Sequence, residues 1–344
     1  RLLAGAAAAA GVPCILDGSA GLRRRPMDRI TAPLRAMGVA IDAAPGGGAP
    51  LVIGARPAGT PLAARDHDLP VASAQVKSCL LLAALAADGP VTVGEPGPSR
   101  DHTERMLGAM GVEIRCDARA HRVTLAPPTA PLRPLRTELA GDLSTAAFLM
   151  VAAACVPGSD VTLRGVGVNP TRTGLLDALR AMGADIAVSP PCDRSGEPVA
   201  DLRVRAAPLR GIRVDGDLVV RMIDEFPVFA VAAAAASGVT EVRDAAELRH
   251  KESDRISRLC AELAAVGVDV DEHPDGFTIR GTPFAGGTVD AHGDHRIAMA
   301  LAVAGWISRG GITVRHAEIL GESFPDFVAV CKRLGAAVAT AEEA

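Results

Sequence analysis

A chain of 344 residues has room for two domains, each with its own core. Its formal net charge of −4 gives no reason to look for a nucleic-acid or membrane-surface partner. Apolar residues make up 49% but aromatics only 2%, with no tyrosine and one tryptophan, so the core must be built from aliphatic side chains.

The longest apolar runs, near residues 146–156 and 226–236, are too short to cross a bilayer. Seven cysteines stand singly, without CxxC or Cys/His ligand spacing. They predict a reduced, cytoplasmic protein without structural zinc, each cysteine a small buried hydrophobe.

The chain opens inside a predicted helix, Leu2–Ala10, closed by Gly11. A phrase then recurs: Leu34-Arg35-Ala36-Met37-Gly38-Val39, Leu107-Gly108-Ala109-Met110-Gly111-Val112, and Leu179-Arg180-Ala181-Met182-Gly183-Ala184. Leu263–Val268 and Lys332–Ala336 repeat it more loosely. Each copy reads as an amphipathic helix ended by glycine (38, 111, 183, 267, 335) and followed by a strand. Between them lie more apolar helices: Ala74–Ala87, Ser144–Val156, Phe226–Ser237 and Arg296–Ser308. Helices apolar nearly all round must be buried.

The unit is therefore strand, buried helix, strand, exposed helix and β-hairpin, seen in five copies. Four buried helices have polar lead-ins: Ser73-Ala74-Gln75, Asp142-Leu143-Ser144-Thr145, Asp224-Glu225 and Asp294-His295-Arg296. The first has none, because Arg1 stands where its lead-in would end. The repeat's symmetry thus predicts that part of one unit and a whole preceding one are missing. Proline-rich Pro131–Arg136 is the predicted boundary between domains 1–136 and 137–344.

Helix N-termini at equivalent places can bind anions. Ser73 and Gln75 offer neutral donors there, while Arg25, Arg100 and Arg296 offer guanidinium forks suited to phosphate and carboxylate. Taken singly, each reads as a cap or a surface arginine, and Ser144 and Thr145 read as caps. Asp224 lies between Met222-Ile223 and Phe226-Pro227, an apolar setting that would raise a carboxylate's pKa, although a capping aspartate is the plainer reading. Leu248-Arg249-His250-Lys251-Glu252-Ser253-Asp254-Arg255 contains one of only three lysines, in a chain that otherwise writes arginine. A helix starting near Glu252 would crowd Lys251, Glu252 and Arg255 into its first turn, which reads as either a solvated cap or an anion site. With Glu252, Asp224 makes a candidate pair for proton transfer. No dinucleotide fingerprint, Walker loop or nucleophile elbow is present, and His295 has no nucleophile partner.

These stretches resemble the EPSP synthase family, the 3-phosphoshikimate 1-carboxyvinyltransferases, over nearly the whole chain. The carrying motifs are Arg24-Arg25-Pro26-Met27, Ser73–Ser78, Ser99–Glu104, Asn169–Gly174, Ile223-Asp224-Glu225, Leu248–Arg255, Asp294–Met299 and Ser323-Phe324-Pro325. The resemblance implies an α/β fold: a two-domain inside-out α/β barrel of βαβαββ units, with the active site in the cleft between domains. It implies transfer of the enolpyruvyl group of phosphoenolpyruvate to the 5-hydroxyl of shikimate 3-phosphate, with no metal or organic cofactor and no nucleic-acid or membrane partner, by a cytoplasmic monomer. Matched position by position, Asp224 is the proton acceptor and Glu252 the proton shuttle. Arg25, Arg255 and Arg296 hold phosphoenolpyruvate, and Gln75 touches both substrates. Ser73, Ala74, Arg100, Asp224 and Lys251 are implied contacts to shikimate 3-phosphate. The family's N-terminal lysine segment and glycine-rich loop have no counterpart, so the 344-residue chain alone is expected to be inactive. Glu322 stands where many members carry lysine. UDP-N-acetylglucosamine enolpyruvyl transferase and a non-catalytic anion-binding fragment are the alternatives.

Overall fold

The computed structural model describes residues 1–340, which fall into two compact units: Arg1–Glu138 with Arg194–Glu197, and Leu139–Asp193 with Pro198–Ala344. Among the described residues no helix is long and apolar enough to cross a membrane.

Unit 1 begins with α1 (Leu2–Ala10), β1 (Cys14–Leu16), α2 (Ala20–Arg23), α3 (Asp28–Ala36), β2 (Ile41–Ala43) and β3 (Leu51–Ile53). These strands form an antiparallel sheet ordered β1-β3-β2. There follow β4 (His67–Asp68), α4 (Ala74–Ala84), β5 (Val91–Gly94), α5 (His102–Ala109), β6 (Glu113–Asp117) and β7 (Arg122–Ala126). Their sheet runs β4-β5-β7-β6, with β4 and β5 parallel and the rest antiparallel. Parallel neighbours need a crossover, and buried α4 supplies it. Alanine-rich α1 packs on α4 at Gly5, where a Cβ would lie 2.0 Å from the Cys79 carbonyl oxygen. Only glycine allows that approach.

Unit 2 contains α6 (Leu143–Cys155), β8 (Asp160–Gly167), α7 (Gly174–Ala181), β9 (Asp185–Val188), β10 (Cys192–Arg194), β11 (Glu197–Arg205), β12 (Arg213–Val214) and α8 (Asp217–Arg221). It continues with α9 (Phe226–Ala235), β13 (Val239–Val242), a 3-10 turn (Ala246–His250), α10 (Arg255–Ala265), β14 (Asp269–His273) and β15 (Gly276–Arg280). The last elements are β16 (Gly287–Asp290), α11 (His295–Ile307), β17 (Ile312–Arg315), a 3-10 turn (Ala317–Glu322) and α12 (Phe327–Arg333). The order β12-β13-β15-β14 repeats that of β4-β5-β7-β6, again with its first pair parallel. The βαβαββ unit read from the sequence is the unit of the fold. Helices α6, α9 and α11 pack on one another, and every residue from Phe226 to Ala234 is buried. Trp306 stacks on Phe327, with ring centroids 6.1 Å apart, and its Nε1 donates to the Ala337 carbonyl.

Several expectations need correction. The apolar helices stop short of the predicted ends: α4 ends at Ala84 and α9 at Ala235. Leu62 bonds the backbone of Ala86, and Leu209 and Gly211 bond that of Ser237, so β-type pairing takes the groups that a longer helix would use. Helix α10 begins at Arg255, capped by the Asp254 carboxylate, which leaves Lys251 and Glu252 in the preceding turn. Asp142, not Ser144 or Thr145, caps α6. Cys116 and Cys192 are exposed, so not every cysteine is a core residue.

Candidate active site

Arg255 is the centre of the unit 2 cluster. Its side chain is 1% exposed, and a charge that deep needs partners. Nε donates to Asp294 Oδ2 at 2.8 Å and Nη2 to Glu252 Oε2 at 2.6 Å, while Nη1 lies 3.5 Å from Asp224 Oδ1. Burial opposes the charge, but Asp294 and Glu252 outweigh it and hold the guanidinium above its ordinary range. One arginine thus joins the two carboxylates predicted as a pair, each on its own nitrogen. Among the described residues Nη1 finds no hydrogen-bond partner.

The helices explain this convergence. Asp294 caps α11, accepting from the backbone N–H groups of Arg296 and Ile297, and is itself fully buried. Arg296 Nη1 donates to the Asp224 carbonyl at 3.3 Å, and Nη2 lies 3.9 Å from Asp224 Oδ2. Three segments therefore meet: the lead-ins of α9 and α11 and the turn before α10. Lys251, half-buried, ends the 3-10 turn beside Glu252. His295 is pushed below its ordinary pKa by burial and by Arg296. Exposed Glu322 ends its own 3-10 turn.

Behind Asp224 lies a second buried set, Glu225, Ser144 and Arg172, that sequence position alone does not bring together. Glu225 is fully buried; Ser144 Oγ donates to its Oε1, and Arg172 Nη2 lies 3.6 Å from that oxygen. Burial first, and Asp224 next, push the Glu225 carboxyl above its ordinary value, against Arg172.

In unit 1 the candidates gather at the start of α4. Ser73 is the N-cap residue, followed by Ala74 and Gln75, but its hydroxyl makes no cap bond. Arg1 Nη1 donates to Gln75 Oε1 at 3.1 Å and Nη2 to the Pro26 carbonyl at 2.9 Å, which ties the segment of half-buried Arg25 to the α4 start. Arg100, half-buried, ends the loop that leads into α5. Beneath them Lys77 Nζ lies 3.0 Å from Glu95 Oε2 and 2.8 Å from Glu104 Oε1, all three side chains 4% exposed. The scarcity of lysine could have pointed to Lys77 as it did to Lys251. Arg1 and Asp294 carried no such signal, being an ordinary arginine and an ordinary cap.

Two clusters of arginine and carboxylate at helix starts suit anionic substrates and proton transfer. The EPSP synthase (3-phosphoshikimate 1-carboxyvinyltransferase) family model matches residues 1–331. A 3-phosphoshikimate 1-carboxyvinyltransferase of Methylococcus capsulatus is 49% identical over 335 residues, covering 97% of this chain and 75% of the relative. One from Xanthomonas campestris is 50% identical with the same coverage. Among solved structures, EPSP synthase from Acinetobacter baumannii superposes with a TM-score of 0.86 at 42% identity, covering 97% of this chain and 76% of that one. The enolpyruvyl transferase NikO of Streptomyces tendae shares the fold, with a TM-score of 0.76 at 20% identity over 97% of this chain and 75% of its own. This chain belongs to the EPSP synthase family and has the mixed α/β enolpyruvyl transferase fold.

Proposed function

We propose that the residues of this chain serve transfer of the enolpyruvyl group of phosphoenolpyruvate to the 5-hydroxyl of shikimate 3-phosphate, with Asp224 and Glu252 as the proton-handling pair. The carrying observation is Arg255, which holds the two carboxylates on separate Nη atoms. Asp224 takes the hydroxyl proton as the oxygen attacks C2 of phosphoenolpyruvate. Glu252 gives a proton to the methylene carbon, which forms a tetrahedral intermediate. In the second half, a methyl proton returns to Glu252 and the C–O bond to phosphate breaks, forming the enol ether and releasing inorganic phosphate, which carries away the proton that Asp224 had taken. Arg255 Nη1 and Arg296 Nη2 place positive charge 3.5 Å and 3.9 Å from the two Asp224 carboxylate oxygens.

Arg25, Gln75, Arg255 and Arg296 are assigned to phosphoenolpyruvate. Ser73, Ala74, Gln75, Arg100, Asp224 and Lys251 are assigned to shikimate 3-phosphate. Clamping both anions supplies orientation, and fixed positive charge stabilises the anionic transition state. Seven free cysteines fit a reducing, cytoplasmic setting, and the reading takes the enzyme as a monomer. The UDP-N-acetylglucosamine reading is not favoured, since the family match and the relatives at about half identity agree on shikimate 3-phosphate.

The test uses the protein expressed from its native reading frame. Asp224→Ala should cut turnover by roughly 10²–10⁴-fold while calorimetry still detects shikimate 3-phosphate binding. Glu252→Gln should in addition suppress exchange of the phosphoenolpyruvate methylene protons with deuterated water. Turnover within a factor of a few of wild type in either variant would overturn the assignment.

A further inference from the structure

Glu95 follows β5 and is buried to 4% exposure, yet its carboxylate is used on every side. Oε1 accepts the backbone N–H of Ser73 at 2.8 Å; Oε2 accepts Ser99 Oγ at 2.7 Å and lies 3.0 Å from Lys77 Nζ. Its own N–H donates to the His121 carbonyl, which fixes it to the β6–β7 turn. One carboxylate therefore ties the start of α4 to the loop that carries Arg100. Ser73, held by its backbone from behind, does not spend its hydroxyl on capping α4.

The charge count speaks against a purely stabilising role. Lys77 faces two buried carboxylates, Glu95 and Glu104, where one would neutralise it. A surplus buried charge costs stability. Burial pushes the Glu104 carboxyl up, against the pull of Lys77, while both Glu95 oxygens are engaged, by Ser73 and Ser99.

We infer that Glu95, anchored by Lys77, is a positioning residue for shikimate 3-phosphate: it sets the α4 start and the Arg100 loop relative to each other. The inference rests on the assignment of Ser73, Gln75 and Arg100 to that substrate. Glu95→Ala leaves Lys77 and Glu104 as a neutral pair, so the fold should persist, and the effect should fall on one substrate. We expect KM for shikimate 3-phosphate to rise about tenfold, the loss of one good hydrogen bond to an ordered group. Turnover and KM for phosphoenolpyruvate should stay within about twofold. Glu95→Gln, which keeps an acceptor oxygen for Ser73, should recover most of the loss. If Glu95→Ala does not purify folded, Glu95→Asp, one methylene short, takes its place with the same expected split. An unchanged KM for shikimate 3-phosphate overturns the inference. So do equal losses in all three parameters with a lowered melting temperature, or failure of Glu95→Gln to recover. Ser73→Ala and Arg100→Ala probe the underlying assignment separately. If they leave that KM unchanged, the substrate assignment fails; if they raise it and Glu95→Ala does not, only the positioning role fails.

Discussion

Glu225 shows what a single buried carboxyl does to the balance of the fold. Its pKa is raised in the folded chain, so the native state binds its proton more tightly than the unfolded state does. That contribution is complete below the ordinary value of 4.5 and is lost as pH rises through the elevated one. Glu225→Gln should therefore gain stability over wild type as pH climbs from about 4.5, and the gain should level off once the native carboxyl has ionised. Urea unfolding midpoints at three pH values would show it, and a pH-independent difference would refute it. Asp224 and Glu252 could be picked out in the sequence by flanking residues and family likeness. The pairing of Glu225 with Ser144 could not, because the two lie 81 positions apart and only the packing of α6 against α9 brings them together.

The exposed helices end alike in all five copies. The N–H after each glycine reaches back to the carbonyl five residues earlier, as in Val39 to Leu34, Val112 to Leu107, Ala184 to Leu179, Val268 to Leu263 and Ala336 to Cys331. This is the Schellman closure, and it demands positive φ at the glycine; Gly38 has φ 93°. A Cβ there would meet nothing within 4 Å, so Gly38→Ala tests backbone strain alone. The expected cost is about 1–2 kcal/mol in chemical denaturation; a loss below about 0.3 kcal/mol would show that α3 can end another way. Local chemistry made these ends legible in advance. The buried helices' ends were not, because Leu85-Ala86-Ala87 continues the apolar pattern while long-range pairing with Leu62 decides the backbone. The start of α10 was missed similarly: the charges of Lys251 and Glu252 suggested a first turn, but the Asp254 cap sets it three residues later.

On the scale of the whole molecule, the two units have separate cores, one running from Ala4 to Leu125 and the other from Leu143 to Cys331. Unit 1 also carries cross-strand neighbours Ile15 and Val52 on an exposed sheet face, 68% and 49% accessible, on strands β1 and β3. Exposed apolar strands associate. Ile15→Lys should raise the concentration at which the protein self-associates, read by light scattering, with its melting temperature nearly unchanged; equal association would clear this face. The repeat made the order of elements foreseeable, since that order follows from apolar helices and glycine caps alone. The pairing of lead-ins into clusters was not, because it depends on which helix starts the fold sets side by side. The division of cores has an optical consequence. All seven phenylalanines and Trp306 fall in unit 2, and the chain has no tyrosine. Near-ultraviolet absorption and emission therefore come from unit 2, and Trp306, stacked on Phe327, reports the packing of α11 against α12. Unit 1 is dark at those wavelengths, so a tryptophan engineered there would be read against an empty background.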